Sequence, residues 1–347
     1  MKKLSIIVIS SFALVLSMRA GNPDRAGSAG ASHLLINPWA RSSALGNSSM
    51  ASVNGVEASF LNVAGLAFTR KTELVFSNNQ YLVGTGIKIN SLGFGQKVGE
   101  NAAIGLSVTS MRFGDIQITE TDLPEGGIGS FSPNYTNIGL SYAKGFSNSI
   151  YGGLTVRFVS EAIYNVKAQG MSFDAGIRYV TGEKDNVRFG ITLRNVGPPL
   201  RYRGDGLSTT GTVTTGSTSS TSLTLDMRSD KYELPSLVNV GFAYDFLLSE
   251  KSKLTANLQF TSNSFTHDQF GLGAEFSFRD RFILRGGYTY ESKEGTDYRM
   301  TLFTGPCGGL TVQVPTGKTG TIIGLDYSYR STNPFSGVHS LGVHISL

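Results

Sequence analysis

The 347-residue chain is poor in most of what catalytic and metal-binding proteins use. Its single cysteine, Cys307, can form no internal disulfide and no thiolate cluster, and is expected as a free thiol in a crowded strand or loop. The four histidines, His33, His267, His339 and His344, are scattered without the spacing of zinc ligands. Charge is sparse. Removing Lys2, Lys3 and Arg19 with an N-terminal leader takes the 30 basic residues to 27 against 25 acidic ones, a balance that gives nucleic-acid binding no support. Beyond the leader no apolar run approaches the roughly 20 residues that a membrane-crossing helix needs. Disulfide scaffolds, zinc proteins, nucleic-acid binders and helical membrane proteins therefore drop out.

The leader itself is legible. Met1, Lys2 and Lys3 are followed by an almost wholly apolar Leu4 to Met18 and the exit Arg19, Ala20, Gly21. That is the layout of a secretory signal peptide, over residues 1–20. No cysteine follows Ala20, so a lipid anchor has no attachment point. What the chain has in quantity is glycine (43 residues, against an average of about 7%), together with Ser, Thr, 21 Phe and 14 Tyr, a composition suited to many short strands.

From Thr72 to Leu347 one device recurs: segments of about ten residues in which large apolar side chains alternate with small or polar ones, long enough to cross a bilayer as tilted strands. Ile138, Leu140 and Tyr142 oppose Asn137, Gly139, Ser141 and Ala143. Phe173, Ala175, Ile177 and Tyr179 oppose Ser172, Asp174, Gly176 and Arg178. A soluble sandwich would alternate too. Three features favour a membrane barrel. The polar face is rich in Gly, Ser, Ala and Asn, as a filled interior requires. Aromatics gather at segment ends (Tyr142, Tyr151, Tyr179, Tyr244, Phe246, Tyr288, Tyr290, Tyr327, Tyr329) like interfacial girdles. Short connections (97–101, 145–149, 181–186, 247–253, 279–281, 315–320) also alternate with longer ones such as 114–134 and 197–234, the latter holding a Thr/Ser/Gly-rich tract from Ser208 to Ser222.

Fourteen strands are counted, with Thr72 to Tyr81 first, Arg299 to Val314 twelfth and Val338 to Leu347 last. The expected fold is all-β, a transmembrane antiparallel barrel of about 14 strands. Residues 21–71 lack alternation and read as an N-terminal plug tucked into the lumen of a barrel spanning 72–347. The expected location is the cell outer membrane, with outer-membrane lipid as one partner.

Little of the sequence points to chemistry. Gly317, Lys318 and Thr319 match the tail of a phosphate-binding loop, but Val312 stands where its first glycine belongs, so a turn is the better reading. Alternation places Arg157, Asp174, Arg178, Arg188, Arg194, Asp245, Glu275, Arg285 and Asp326 in the lumen. Their mixed signs favour paired networks that hold the plug over an aqueous pathway. No Ser, His and acid set can be singled out, so a non-enzymatic protein without cofactor or metal is expected.

The run Leu35, Ile36, Asn37, Pro38, Trp39, Ala40, Arg41, Ser42, Ser43, Ala44, Leu45, Gly46 resembles the opening of the PorV/PorQ family of Bacteroidetes outer-membrane proteins. Asn62, Val63, Ala64, Gly65, Leu66 resembles the Asn-Pro-Ala-Gly-Leu element shared with FadL-type channels, with Val63 in place of the proline. Asn333 to Gly342 looks like the same family's closing hairpin. The resemblance implies a FadL-like barrel with an N-terminal plug and a part in type IX secretion. There it implies engagement of secreted cargo with C-terminal sorting domains, beside the secretion translocon and a surface attachment complex, through loops such as 114–134, 197–234 and 290–298. The alternative is a FadL-like channel for hydrophobic small molecules, which requires an apolar pocket between plug and wall.

Overall fold

A computed structural model describes residues 21–215, 219–292, 299–316 and 320–347. The leader over 1–20, the Gly317–Thr319 turn and the loop segment 293–298 lie outside the described residues. No helix among those described is long and apolar enough to cross a membrane.

Fourteen strands form the wall: β1 (Thr72–Gln80), β2 (Lys88–Val98), β3 (Ala102–Arg112), β4 (Asn134–Gly145), β5 (Ile150–Ile163), β6 (Val166–Thr181), β7 (Val187–Val196), β8 (Leu237–Ser249), β9 (Ser252–Asn263), β10 (Gln269–Phe278), β11 (Phe282–Glu291), β12 (Gly305–Thr316), β13 (Thr321–Arg330) and β14 (Val338–Ser346). Each pairs antiparallel with its sequence neighbours. β1 closes the ring on β14, in register from Glu73↔Ser346 to Gln80↔His339. Closure leaves no unpaired edge, the condition for a sheet to stand in lipid.

Alternation sorts the side chains as the pattern requires. Leu140 is 52% exposed on the outside while Ser141 beside it is 5% exposed inside. Leu92, Ile177, Ile191, Leu272, Leu325 and Leu341 extend the outer apolar belt around the wall. In water such a surface would be far larger than a soluble monomer exposes, so the belt is the lipid-facing band of a membrane barrel.

Three details depart from the sequence reading. Tyr151 is no girdle residue: it faces inward, its ring 4.4 Å from that of Phe68. The Thr/Ser/Gly-rich tract folds into a two-stranded ribbon, Ser208–Thr215 on Ser219–Asp226, because alternate small β-formers pair readily once the loop ends are held together. The twelfth strand begins at Gly305, not Arg299, since Glu291 takes the backbone N–H of Met300 and the hydroxyl of Thr301 into a loop.

Residues 21–71 fold into short helical turns, the longest being Val63–Phe68. Ala40–Ser43 packs on β12, β13 and β14, Ser48–Ala51 on β7 to β10, Gly55–Glu57 on β1 to β3, and Val63–Phe68 on β3 to β6. Contact with every sector of the wall puts this segment inside the lumen. Trp39, Met50, Leu61 and Leu66 are almost wholly buried there, each worth about 1.5–3 kcal/mol of transfer free energy. The wall makes room with glycine. A Cβ placed on Gly309 would stand 2.7 Å from Ala44 Cβ, and one on Gly287 2.8 Å from the Leu45 carbonyl oxygen, so the high glycine content is in part the imprint of the plug.

Candidate functional site in the plugged lumen

Polar side chains tie the inner segment to the wall. Arg41 donates through Nε to Glu57 Oε1 at 2.8 Å and through Nη2 to Glu73 Oε1 at 3.0 Å, joining two turns of the segment to β1. The second oxygens accept backbone N–H groups, Ser42 to Glu57 at 3.0 Å and Val56 to Glu73 at 2.8 Å. Burial alone would weaken the Arg41 charge. The Glu57 and Glu73 carboxylates outweigh that and hold its pKa well above the ordinary arginine value. From β6, Arg178 donates to Val53 O and, at 2.7 Å, to Asn54 Oδ1. Asn79 Nδ2 reaches Pro38 O at 2.9 Å.

All nine charged residues assigned to the lumen face inward. Six of them form three pairs: Arg157 with Asp174 at 2.7 Å, Arg285 with Glu275 at 2.6 Å, and Arg188 with Asp245. Asp326 meets His344 at 2.8 Å. Arg178 and Arg194 are spent on the inner segment, Arg194 lying 4.0 Å over the Phe60 ring.

The N-terminal end of the segment crosses the mouth on the long-loop side. Gly30 N donates to Glu233 O at 3.0 Å, and Arg25 pairs with Glu233 at 2.5 Å. Beneath them Glu161 Oε2 accepts the hydroxyls of Tyr202 (2.7 Å) and Tyr232 (2.5 Å), while its Oε1 lies 3.2 Å from His33 Nδ1. One carboxylate thus gathers the wall, the inner segment and the longest loop. Burial and then these hydrogen bonds to Glu161 raise the pKa of both tyrosines above the usual value.

Two cavities lie between the plug and the wall on either side of residues 42–49. The outer one, about 260 Å³, lies between Leu35, Ile36, Gly46 and Asn47 of the inner segment and the outer halves of β8 to β11. Its apolar lining comes largely from outside the strands: Tyr81, Met300, Leu302 and Phe303. Arg194 and Arg330 also border it, Arg330 4.3 Å over the Phe303 ring, and among the described residues neither has a carboxylate within ion-pair distance. The inner cavity, about 180 Å³, is charged, lined by Arg41, Glu57, Arg188, Lys253, Glu275 and Arg285. Residues 42–49 separate the two, with Leu45 facing the inner cavity and Gly46 the outer.

No protein-family model matches the sequence, and no curated protein does. Solved structures do. The CymD monoaromatic hydrocarbon channel superposes with a TM-score of 0.56 at 12% identity, over 90% of this chain and 97% of that one. The toluene transporter TodX of Pseudomonas putida gives 0.55 at 12% identity, over 89% and 96%. A FadL homologue of Pseudomonas aeruginosa gives 0.50 at 14% identity, over 89% and 96%. The barrel is FadL-like. At these identities the likeness is one of fold, and it runs nearly the full length of each partner.

Sequence reasoning reached the paired wall charges but missed the Arg41, Glu57 and Glu73 anchor, and it missed the apolar side of the outer cavity. Glu73 lies on the inward face of β1 with Val75 and Ser77, so alternation carried a signal for it. Leu302 and Phe303 sit in a loop, where no period marks them.

Proposed function

We propose that this protein is a non-enzymatic outer-membrane channel for small hydrophobic compounds, which enter the outer cavity and leave toward the periplasm past the segment 42–49. The observation that carries the proposal is the outer cavity itself, with an apolar side between plug and wall. The lumen wall is largely polar, and the cavity's apolar surface comes mainly from the plug, from Tyr81 and from loop 299–304, with Leu237 the contribution of a strand. The FadL-like barrels it superposes on include proteins described as a monoaromatic hydrocarbon channel and a toluene transporter. In this reading 1–20 is removed on export, 21–71 is the plug, and transit requires residues 42–49 to yield while the Arg41 anchor holds the rest. Replacing Phe303 by Asn is expected to weaken binding of toluene to the purified protein about tenfold, a loss of about 1.4 kcal/mol. Unchanged binding would remove the cavity from the account.

A second reading rests on the residues that resemble the PorV/PorQ family, 35–46 and 333–342, and on the structured outer loop 197–236, which offers a protein-sized surface. It makes the chain a component of type IX secretion that engages the translocon, the attachment complex or sorted cargo. Gentle affinity purification from the native membrane tests it: a very large barrel or cargo with sorting domains should come with the protein, and a solitary barrel would speak against it.

A further inference from the structure

Beyond the lipid-facing belt, the outer end of β6 continues into a small sheet with Leu200–Arg203 and Lys231–Tyr232. The register sets Arg203 opposite Lys167 and Arg201 opposite Lys231, while Tyr202 stands opposite Ala168 and Leu200 opposite Tyr232. Directly opposed residues share a face. The inward face is fixed by burial of Ala168 and Leu200 and by both tyrosine hydroxyls on Glu161. Lys167, Arg201, Arg203 and Lys231 therefore all project outward.

Like charges directly opposite destabilise an antiparallel pair, and here two such pairs stand side by side. Among the described residues none of the four cations has a carboxylate within ion-pair distance, and the Nε of Arg201 is buried without a hydrogen-bond partner. Arg228 joins Arg201 and Arg203 around a surface cavity of about 550 Å³. Of the nearby acids, Asp205 and Asp226 line the cavity, Asp226 accepting the Ser208 hydroxyl at 2.6 Å, and Asp230 accepts the Lys231 backbone N–H at 2.8 Å, against the five cations Lys167, Arg201, Arg203, Arg228 and Lys231. The cluster is short of anions.

Its height suggests the source of one. On β6 the outward face runs from Lys167 and Gln169 into exposed Met171, Phe173, Ile177 and Tyr179. Lys167 lies four residues beyond Met171, about 13 Å along the strand and roughly 10 Å higher for a strand tilted as in membrane barrels. That is where hydrocarbon gives way to headgroups. We propose that this face binds the phosphates of a phosphorylated glycolipid in the outer leaflet, each phosphate sitting between an opposed pair of cations. The inference rests on the reading of the chain as an outer-membrane barrel.

The test uses the full chain in neutral detergent and native mass spectrometry with bisphosphorylated lipid A, its dephosphorylated form, and inorganic phosphate. Bisphosphorylated lipid A should be retained, and removing its phosphates should weaken binding at least about tenfold, as should the double variant R201Q/R203Q. Arg203→Glu should act in opposite directions, raising the unfolding temperature in lipid-free detergent by relieving the Arg203/Lys167 repulsion while weakening lipid A binding. Equal binding of the dephosphorylated lipid, unchanged binding by R201Q/R203Q, or occupancy by inorganic phosphate with no lipid A bound would each overturn the proposal. A chain that does not enter detergent or bilayers at all would remove the barrel reading as well.

Discussion

Arg41 shows why single residues matter in this lumen. Its guanidinium is the shared partner of two carboxylates that are almost fully buried, Glu57 and Glu73, so truncating it leaves two charges in a poor solvent. Arg41→Ala is expected to cost about 3–5 kcal/mol, read as a fall in the midpoint of chemical unfolding, and Arg41→Lys should recover only part, since an ammonium cannot serve both acids in the same geometry. Single-channel recording should show larger or more frequent openings in the Ala variant. Gly273 makes the converse case. The nearest neighbours of a Cβ there are Ser48 and Leu45 of the plug, so Gly273→Leu should displace the plug while leaving the wall intact, detectable as protease cleavage within 40–50.

At the level of elements, the least expected feature is the latch across the mouth. Residues 28–30, 200–203 and 231–235 come from distant parts of the chain and meet over Glu161. Removing one hydroxyl with Tyr232→Phe deletes a hydrogen bond to a charged group, worth about 1.5–3 kcal/mol, and should speed hydrogen exchange at the Gly30 and Glu233 amides. The pH dependence has a definite sign. Both tyrosines have folded-state pKa values above the usual 10, so their contribution is complete below that pH and declines as pH rises beyond it. Protection factors in 28–30 and 231–235, which divide out the base-catalysed intrinsic rate, should therefore fall above pH 10 in the parent protein and show no such extra fall in the Tyr202→Phe, Tyr232→Phe double variant. None of this was legible in the sequence. The wall strands were, because ten residues with period two carry their own signal, as in 137–143. A four-residue strand such as Leu200–Arg203 has too few residues to show a period and takes its structure from contacts far away in the chain, while Ser208–Thr215, a local hairpin with Ser219–Asp226, is built almost wholly of Ser, Thr and Gly and has no apolar face to mark it. Tyr151 was misplaced for a different reason: an aromatic at a strand end has the girdle's composition, whereas the signal that puts it inside against the plug's Phe68 is its even spacing from the lumen-facing Arg157.

For the whole molecule, the distribution of polarity is the reverse of a soluble protein's: charge and hydrogen bonding are inside, and the apolar surface is outside. A charge on the belt should accordingly destabilise more than one in the lumen. Leu140→Arg, mid-wall and outward, is expected to cost about 2–4 kcal/mol in lipid vesicles. The count of fourteen strands and the closure of the last strand on the first were both readable from the order of short and long connections. The cavity was not, since it is formed between elements and its lining is assembled from the plug, a strand end and a loop. The measurement that bears most directly on the central claim is equilibrium binding of radiolabelled toluene to the purified, folded protein, parent against Phe303→Asn and against Phe335→Asn, whose exposed ring lies in the 331–337 loop outside the cavity. Saturable binding that Phe303→Asn weakens about tenfold and Phe335→Asn leaves alone is the predicted result; absence of saturable binding, or equal sensitivity to both substitutions, would contradict a channel that works through this cavity.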